Sequence, residues 1–207
     1  MVDAPPERFE AAIGAIDAAN AEDPDELVVG EVRGPKELVH ARMMTDWVQR
    51  LDPDADELQL LAARAHHFRR WTSPRSDQPP GRSGYLRWRT AARRRHAEEV
   101  GALLAEHGYD AAEVARVQRI VRKQGLGADP AVQVHEDALC LVFLQTQLAD
   151  VAGRLGDDAT IDVLVRTIRK MGPAGIAAAA DLDLDPAGAA LLTRALGVAG
   201  SDEDLAR

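Results

Sequence analysis

Apolar side chains recur at helical spacing through almost the whole sequence, and this periodicity limits what the chain can fold into. Phe9, Ile13 and Ile16, for example, repeat at intervals of three and four residues, which places them on one face of a helix. Alternating patterns of β-branched residues, which mark half-buried strands, are missing, and aromatic residues make up only 4% of the chain. The sequence therefore predicts an all-α fold with almost no sheet.

Breaks in the periodicity divide the chain into about seven or eight helices. Prolines in first turns, acidic N-cap residues and glycines at helix ends set the limits of these segments. The expected helices run from Phe9 to Asn20, Pro35 to Leu51, Asp54 to Trp71, Gly84 to His107, Asp110 to Gly125, Pro130 to Val151 and Ile161 to Met171, with a last helix after Pro186. Residues 21–34 and the proline-rich segment before Gly84 are predicted to be connections.

No Gly/Ser/Pro-rich linker divides the chain into separately folded domains. We predict a compact helical domain over residues 1–171, followed by an Ala/Gly-rich helical extension, residues 172–207, with a frayed acidic end. The N-terminus has no apolar run, and no apolar stretch is long enough to span a membrane. The single cysteine, Cys140, cannot form an internal disulfide. These features favour a soluble, cytoplasmic protein.

Positive charge is concentrated in the middle of the chain, although the formal net charge is −9. Between Arg64 and Arg95 there are ten arginines and one acid, Asp77. The planar fork of arginine suits phosphate and carboxylate groups, so this asymmetry favours an anionic partner. Ion pairing with acids elsewhere in the chain is the alternative interpretation. The residues predicted to bind substrate, with the aromatic rings stacking on a flat ring, are Arg69, Arg70, Tyr85, Trp88, Arg89 and Lys123.

Histidines fall at places where several helices can bring them together. His40, the doublet His66-His67 and His96 lie within predicted helices, and Asp137 supplies a carboxylate later in the chain. Imidazole with one or two carboxylates is a ligand set that borderline divalent metals favour. Because these residues are far apart in the chain, they can meet only through the tertiary structure. A set of separate, structurally satisfied histidines is the alternative, as expected for His107 and His135.

The order of these residues resembles the HD phosphohydrolase superfamily, in which a His in one helix precedes a His-Asp doublet and a later lone Asp. His40, His66 and Asp137 match these three roles, whereas His67 stands where the superfamily has Asp. An imidazole cannot bridge two metal ions as a carboxylate does, so the resemblance implies a site for one metal. We expect zinc, iron, manganese or nickel, with His96 as a further candidate ligand.

Two neighbours of these ligands are candidates for catalytic roles. His67 is expected to complete the metal's coordination or to act as general acid or base. Glu136 precedes Asp137 on its helix and points about 100° away from it, where it can orient a ligand or contact solvent.

A second resemblance covers most of the chain, from about Arg8 to Lys170. The matching segments are Phe9 to Ala19, Gly34-Pro35 with Met43 and Trp47, His66 to Trp71, Gly84 to Arg89, and Glu136-Asp137 with Leu141 to Leu144. In these segments the sequence is similar to the family catalogued as domain of unknown function 4202. The family's name implies no activity, so this resemblance predicts a shared site and leaves the reaction open.

Together these features predict a metal-dependent hydrolase that acts on a small anionic substrate, phosphorylated or nucleotide-like. A non-enzymatic helical protein that binds nucleic acid or another anion is an alternative, although the isoelectric point near 5.1 and the lack of a helix-turn-helix signature count against it. A mononuclear metal oxygenase is a second alternative. A purely structural helical protein would keep His40 and His66 apart.

Overall fold

The computed structural model describes residues 6–205, and over this range the chain is mostly helical. The helices are α1 Pro6–Asn20, α2 Lys36–Leu51, α3 Glu57–Arg64, α4 Arg82–Glu106, α5 Ala111–Val121, α6 Pro130–Leu155, α7 Asp157–Ile168, α8 Pro173–Ala180 and α9 Pro186–Leu205. Two short 3₁₀ helices, Arg70–Thr72 and Arg75–Asp77, lie between α3 and α4. The all-α prediction is confirmed, but the described residues contain more helices than the seven or eight expected. The additional α-helix is α8, which begins at a first-turn proline and continues through alanines.

The described residues form two compact units, and the division falls within α6, after His135. The first unit contains the N-terminal helices and the hairpin, and the second begins at Glu136. The separation of residues 1–171 from residues 172–207 stays a prediction.

The core of the first unit lies where α5 packs against α3 and α4. Its largest fully buried side chains include Ile16, Leu61, Leu104 and Ile120. Burial of an isoleucine or leucine side chain contributes about 1.5–3 kcal/mol, so these contacts dominate the stability of the unit. In the second unit, α7 packs against α9, with Leu164 among the buried residues.

A short hairpin precedes α2, within the segment predicted to be a connection. Strand β1, Glu26–Val29, pairs antiparallel with β2, Val32–Pro35, around a two-residue turn. Gly30, the first turn residue, has φ +57°, a conformation that glycine adopts without strain. The sequence predicts a connection because most of this segment is polar, but the position of its valines on both sides of this glycine favours a hairpin.

Helix α6, over the described range, is the one helix that is long and apolar enough to cross a membrane by length and composition. Core helices of soluble proteins meet the same criteria, so this is weak evidence for a membrane span. The helix also carries two buried acids, Glu136 and Asp137.

Candidate metal centre

Helix α2 carries two ionisable side chains into the interior of the first unit. Glu37 and His40 stand three residues apart, which places them on the same face of the helix. They are 4% and 2% exposed. Glu37 Oε2 lies 3.5 Å from His40 Nδ1. The start of α2 therefore presents a carboxylate and an imidazole side by side.

The backbone at this helix start is held by Asp23, a buried residue that precedes the hairpin. Asp23 Oδ2 accepts a hydrogen bond of 3.0 Å from the backbone N–H of Glu37, and Oδ1 accepts one from Asp25. The N-cap residue of α2, Pro35, makes no side-chain cap, so a residue earlier in the chain, Asp23, supplies the acceptor for this helix N–H group. This contact fixes the backbone from which the Glu37 carboxylate projects.

The His66-His67 doublet lies in a tight turn, which corrects the prediction that its helix continues to Trp71. Helix α3 ends at Arg64, after which the N–H groups of His66 and Phe68 bond to carbonyls three residues earlier. Consecutive side chains on a helix diverge by about 100°. The turn instead brings both imidazoles together, with ring centroids 3.8 Å apart and the rings stacked.

Arg69 ends this turn in the left-handed region, with φ 50°. Its backbone N–H donates to the side-chain oxygen of Asn20, at 3.2 Å. Asn20 is the last residue of α1 and is 1% exposed. The end of α1 therefore holds an uncommon backbone conformation in the segment that carries the two histidines.

Five of the six histidines meet around this turn. The His67 ring centroid lies 6.2 Å from that of His40 and 5.9 Å from that of His96, and the His66 centroid lies 6.3 Å from that of His135. All but His67 are at most 5% exposed. His96 is oriented by the Phe68 carbonyl, which lies 2.8 Å from Nδ1.

A chain of polar contacts crosses the centre from Glu37 to Trp88. His67 Nδ1 lies 3.1 Å from Glu37 Oε2, and Arg70 Nη1 lies 2.6 Å from His67 Nε2. The Arg70 guanidinium also sits 4.7 Å above the centroid of the Trp88 ring, a cation–π contact. The Trp88 indole N–H donates to the Ser73 carbonyl at 2.9 Å. One face and the polar edge of this tryptophan therefore have partners within the protein.

Three histidines of the centre, His66, His67 and His96, are uncharged near neutral pH. Burial lowers the pKa of His66 and of His67 well below the ordinary value near 6.5, and the charge of Arg70 adds to the effect at His67. Burial also lowers the pKa of His96 to about 4, although the Phe68 carbonyl opposes this shift. Neutral imidazoles keep a lone pair available, which is the form that binds metal ions.

Glu37 keeps its charge despite its burial. Burial raises the pKa of this carboxyl, but the contact with His40 and the charge of Arg70 together lower it by more. The resulting pKa lies below the ordinary value. The centre thus combines one carboxylate with several neutral imidazoles.

Glu37, His40 and His67 offer one ligand atom each, and these atoms all lie within 4.8 Å of one another. A carboxylate and two imidazoles at this separation could hold a divalent ion. Both ring nitrogens of His40 and of His66 are buried without a hydrogen bond among the described residues, and His40 Nδ1 has only the longer contact of 3.5 Å with Glu37 Oε2. Buried polar atoms normally have a partner, so these nitrogens fit a site that takes a metal ion or ordered water.

Of the predicted metal ligands, His40, His66 and His96 each have a ring contact with His67. Asp137 lies in the second unit, where its Oδ1 accepts a hydrogen bond of 2.9 Å from the backbone N–H of Gly172. A Cβ at Gly175 would lie 2.6 Å from the Asp137 carboxyl carbon, so the glycine is needed for this close approach. Glu136 faces Lys170, with Oε1 3.2 Å from Nζ. The ligand role of Asp137 and the catalytic role of Glu136 stay predictions.

The predicted substrate-binding residues differ in their surroundings. Tyr85 is 44% exposed, whereas Trp88 is 6% exposed and lies under Arg70. Arg69 is exposed and Arg89 is partly buried on α4. Lys123 has φ 59°, the second left-handed non-glycine residue of the described chain. Its charge contributes to the low pKa of His67, as a smaller cause than burial and the charge of Arg70.

Four residues of the centre were missed by reasoning from the sequence: Glu37, Asp23, Asn20 and His135. A sequence signal exists for Glu37, because Glu-x-x-His places both side chains on one helix face, as in metal-binding helix bundles. The other three act through contacts between segments distant in the chain, which no local pattern marks.

The fold and the cluster define a class: an all-α protein whose buried carboxylate and histidines could hold a metal ion. Comparison with protein families identifies this chain more closely. The family model described as Domain of unknown function (DUF4202) matches residues 10–192, and the chain belongs to that family. Searches of curated proteins and of solved structures give no match.

Proposed function

We propose that this protein is a metal-dependent hydrolase that acts on a small phosphorylated substrate at the Glu37/His40/His67 centre. The observation that supports the proposal most directly is the set of buried ring nitrogens on His40 and His66 that make no hydrogen bond, beside a buried and ionised carboxylate. The ring nitrogens of a buried structural histidine normally make hydrogen bonds, whereas a metal-binding histidine keeps one ring nitrogen for the ion. The order His40, His66, Asp137, which resembles the HD superfamily, supports the same proposal.

In this proposal Glu37, His40 and His67 hold one divalent ion, with His66 and His96 beside them. A bound divalent ion polarises a phosphoryl oxygen and lowers the pKa of a water molecule. Burial keeps His66 and His67 neutral and excludes bulk water, which strengthens the electrostatic interactions inside the centre. Arg70, which borders His67, would bind the anionic group of the substrate.

The first experiment measures metal content in protein purified without a metal-affinity tag. Elemental analysis is expected to find about one equivalent of zinc, iron, manganese or nickel per chain. His40→Ala should lose this metal. His107→Ala is the matched control, because His107 Nδ1 bonds to the Leu103 carbonyl on α4 and is not among the candidate ligands. Wild-type protein that takes up no metal after reconstitution would contradict the proposal.

The second experiment tests the reaction class. Metal-loaded protein is incubated with a panel of phosphate monoesters and nucleotides, and released phosphate is measured. Turnover that His40→Ala abolishes and His107→Ala retains would support hydrolysis. Metal-loaded protein that consumes oxygen, and releases no phosphate, would instead support the oxygenase alternative.

A second candidate function rests on the outer face of α4, where two grooves of about 540 and 470 Å³ adjoin. Their basic lining residues are Arg87, Arg93, Arg94, Arg95 and Arg122. Glu98 contributes a carboxylate to both and pairs with Arg94 at 2.8 Å. This surface favours binding of a nucleic acid by its phosphates. Fluorescence anisotropy with single-stranded RNA at two salt concentrations tests it, because phosphate contacts give a steep loss of affinity with salt.

A further inference from the structure

Arg70 occupies the space around His67 that a bound cation would need. Its Nη1 lies 2.6 Å from His67 Nε2 and 3.4 Å from Nδ1, and its Nε lies 4.0 Å from Glu37 Oε1. A guanidinium only donates hydrogen bonds, so His67 Nε2 accepts the bond from Arg70. The ring proton of neutral His67 is then on Nδ1, which faces Glu37 Oε2 at 3.1 Å. In this arrangement Arg70 supplies the positive charge beside the buried carboxylate.

A metal ion on either nitrogen of His67 is incompatible with this contact. An ion on Nε2 takes the lone pair that accepts from Arg70. An ion on Nδ1 forces the single proton of the neutral ring onto Nε2, where it points at the N–H group of Arg70. In both cases Arg70 loses its acceptor and is repelled by a second positive charge next to Glu37.

We propose that metal binding displaces Arg70 from His67, and that the displaced guanidinium is the receptor for the oxyanion of the substrate. This inference rests on the proposed metal centre and adds an order to it: the metal binds first, and a phosphate group then binds between the ion and Arg70. The Arg70 side chain is 33% exposed, so it has room to turn away from His67. Its bidentate fork matches the oxygens of a phosphate monoester.

Tryptophan fluorescence detects the displacement, because the guanidinium lies over the Trp88 ring. Metal-free full-length protein is titrated with zinc, which has no redox activity to complicate the signal. We expect a change in emission that Trp88→Phe removes and Trp47→Phe retains. Trp47 is a matched control, because it carries a similar contact with Arg50, at 5.1 Å.

Binding measurements on Arg70→Met provide a second readout. Removal of the competing cation is expected to tighten zinc binding at least about tenfold, since a hydrogen bond to a charged group must no longer be broken. Inorganic phosphate should bind the zinc-loaded variant at least about tenfold more weakly than zinc-loaded wild type. Arg50→Met, the control on α2, should change neither affinity.

The possible outcomes separate this inference from the metal centre itself. Equal zinc affinity for wild type and Arg70→Met, without a signal from Trp88, would overturn the displacement of Arg70 and leave the metal centre standing. Phosphate that binds the metal-free protein as tightly as the zinc-loaded protein would overturn the proposed order. Wild-type protein that binds no zinc would overturn both proposals.

Discussion

Glu37 is the residue on which the chemistry of the centre depends most. Its carboxylate lies 3.1 Å from His67 Nδ1 and 3.5 Å from His40 Nδ1, and it is the one acid in the candidate ligand set of the described chain. A buried carboxylate without compensating charge is costly, which explains why Arg70 lies beside it. The Glu37 carboxylate attracts a divalent cation more strongly than it attracts an arginine side chain, because the cation carries twice the charge.

Glu37→Gln preserves the shape of the side chain and removes its charge. Loss of an outer-sphere partner of a metal costs about 10- to 100-fold in affinity, so loss of a charged ligand should cost at least about 100-fold. Isothermal titration with zinc measures the effect, and circular dichroism checks that the helices persist. If this variant bound zinc as tightly as wild type, Glu37 would not be a ligand.

Arg69 provides a test of backbone strain in the histidine turn. A side chain in the left-handed region costs about 1–2 kcal/mol, and glycine avoids this cost but has greater freedom when unfolded. Arg69→Gly should therefore raise the free energy of unfolding by about 0.5–1 kcal/mol. Arg69→Ala is the control, because it removes the same side chain and keeps the strain. Equal stability of the two variants in urea unfolding would contradict the argument.

Among the secondary-structure elements, α2 and the turn after α3 bring the ligands together, and each is held by a residue outside it. Asp23 binds the backbone N–H of Glu37 at the start of α2, and Asn20 binds that of Arg69 after the doublet. Both are side-chain contacts with the backbone. They set the direction of the ligands, which a contact between ligand side chains alone would not do.

Asp23→Ala tests the role of this contact in positioning. Loss of a helix N-terminal hydrogen bond costs about 1–2 kcal/mol of stability, and we also expect weaker zinc binding, by about tenfold. Asp110→Ala is the matched control, because Asp110 caps α5 by accepting hydrogen bonds from the backbone N–H groups of Ala112 and Glu113. This substitution should cost similar stability without a change in zinc affinity. An equal loss of zinc affinity in both variants would mean that Asp23 acts through stability alone.

At the scale of the whole molecule, the buried neutral histidines make the free energy of unfolding depend on pH. The pKa of His96 is about 4 in the folded protein and near 6.5 in the unfolded chain, so the unfolded chain binds more protons between these values. The free energy of unfolding is therefore highest above pH 6.5 and is lost as the pH falls toward 4. His66 and His67, whose pKa values are also lowered, act in the same direction.

Lowering the pH from 7 to 5 should reduce the free energy of unfolding by about 2 kcal/mol through His96 alone. Urea unfolding of metal-free protein, followed by tryptophan fluorescence, measures the change in the first unit, because all three tryptophans lie there. His96→Asn should make stability less dependent on pH, since its amide replaces the Nδ1–H group and does not titrate. Stability that is equal or greater at pH 5 would contradict the prediction.

Much of the fold follows from the sequence, and less of the site does. The helices around Ile16, Leu104 and Ile120 are predicted by their periodicity, because apolar residues on one face must be buried. The unpredicted parts, the hairpin at Gly30 and the turn after Arg64, depend on backbone conformations and long-range hydrogen bonds. Helical periodicity carries no information on either of these.

The sequence by itself determined that the chain is helical, that several histidines lie where helices can bring them together, and that arginines follow the His66-His67 doublet. Only the tertiary structure decided that Glu37 is the carboxylate of the cluster and that Arg70 lies against His67. Helix periodicity is a local property, fixed by which residues avoid water. The direction of a ligand is set by contacts between distant segments, such as those of Asp23 and Asn20, which exist only once the chain has packed.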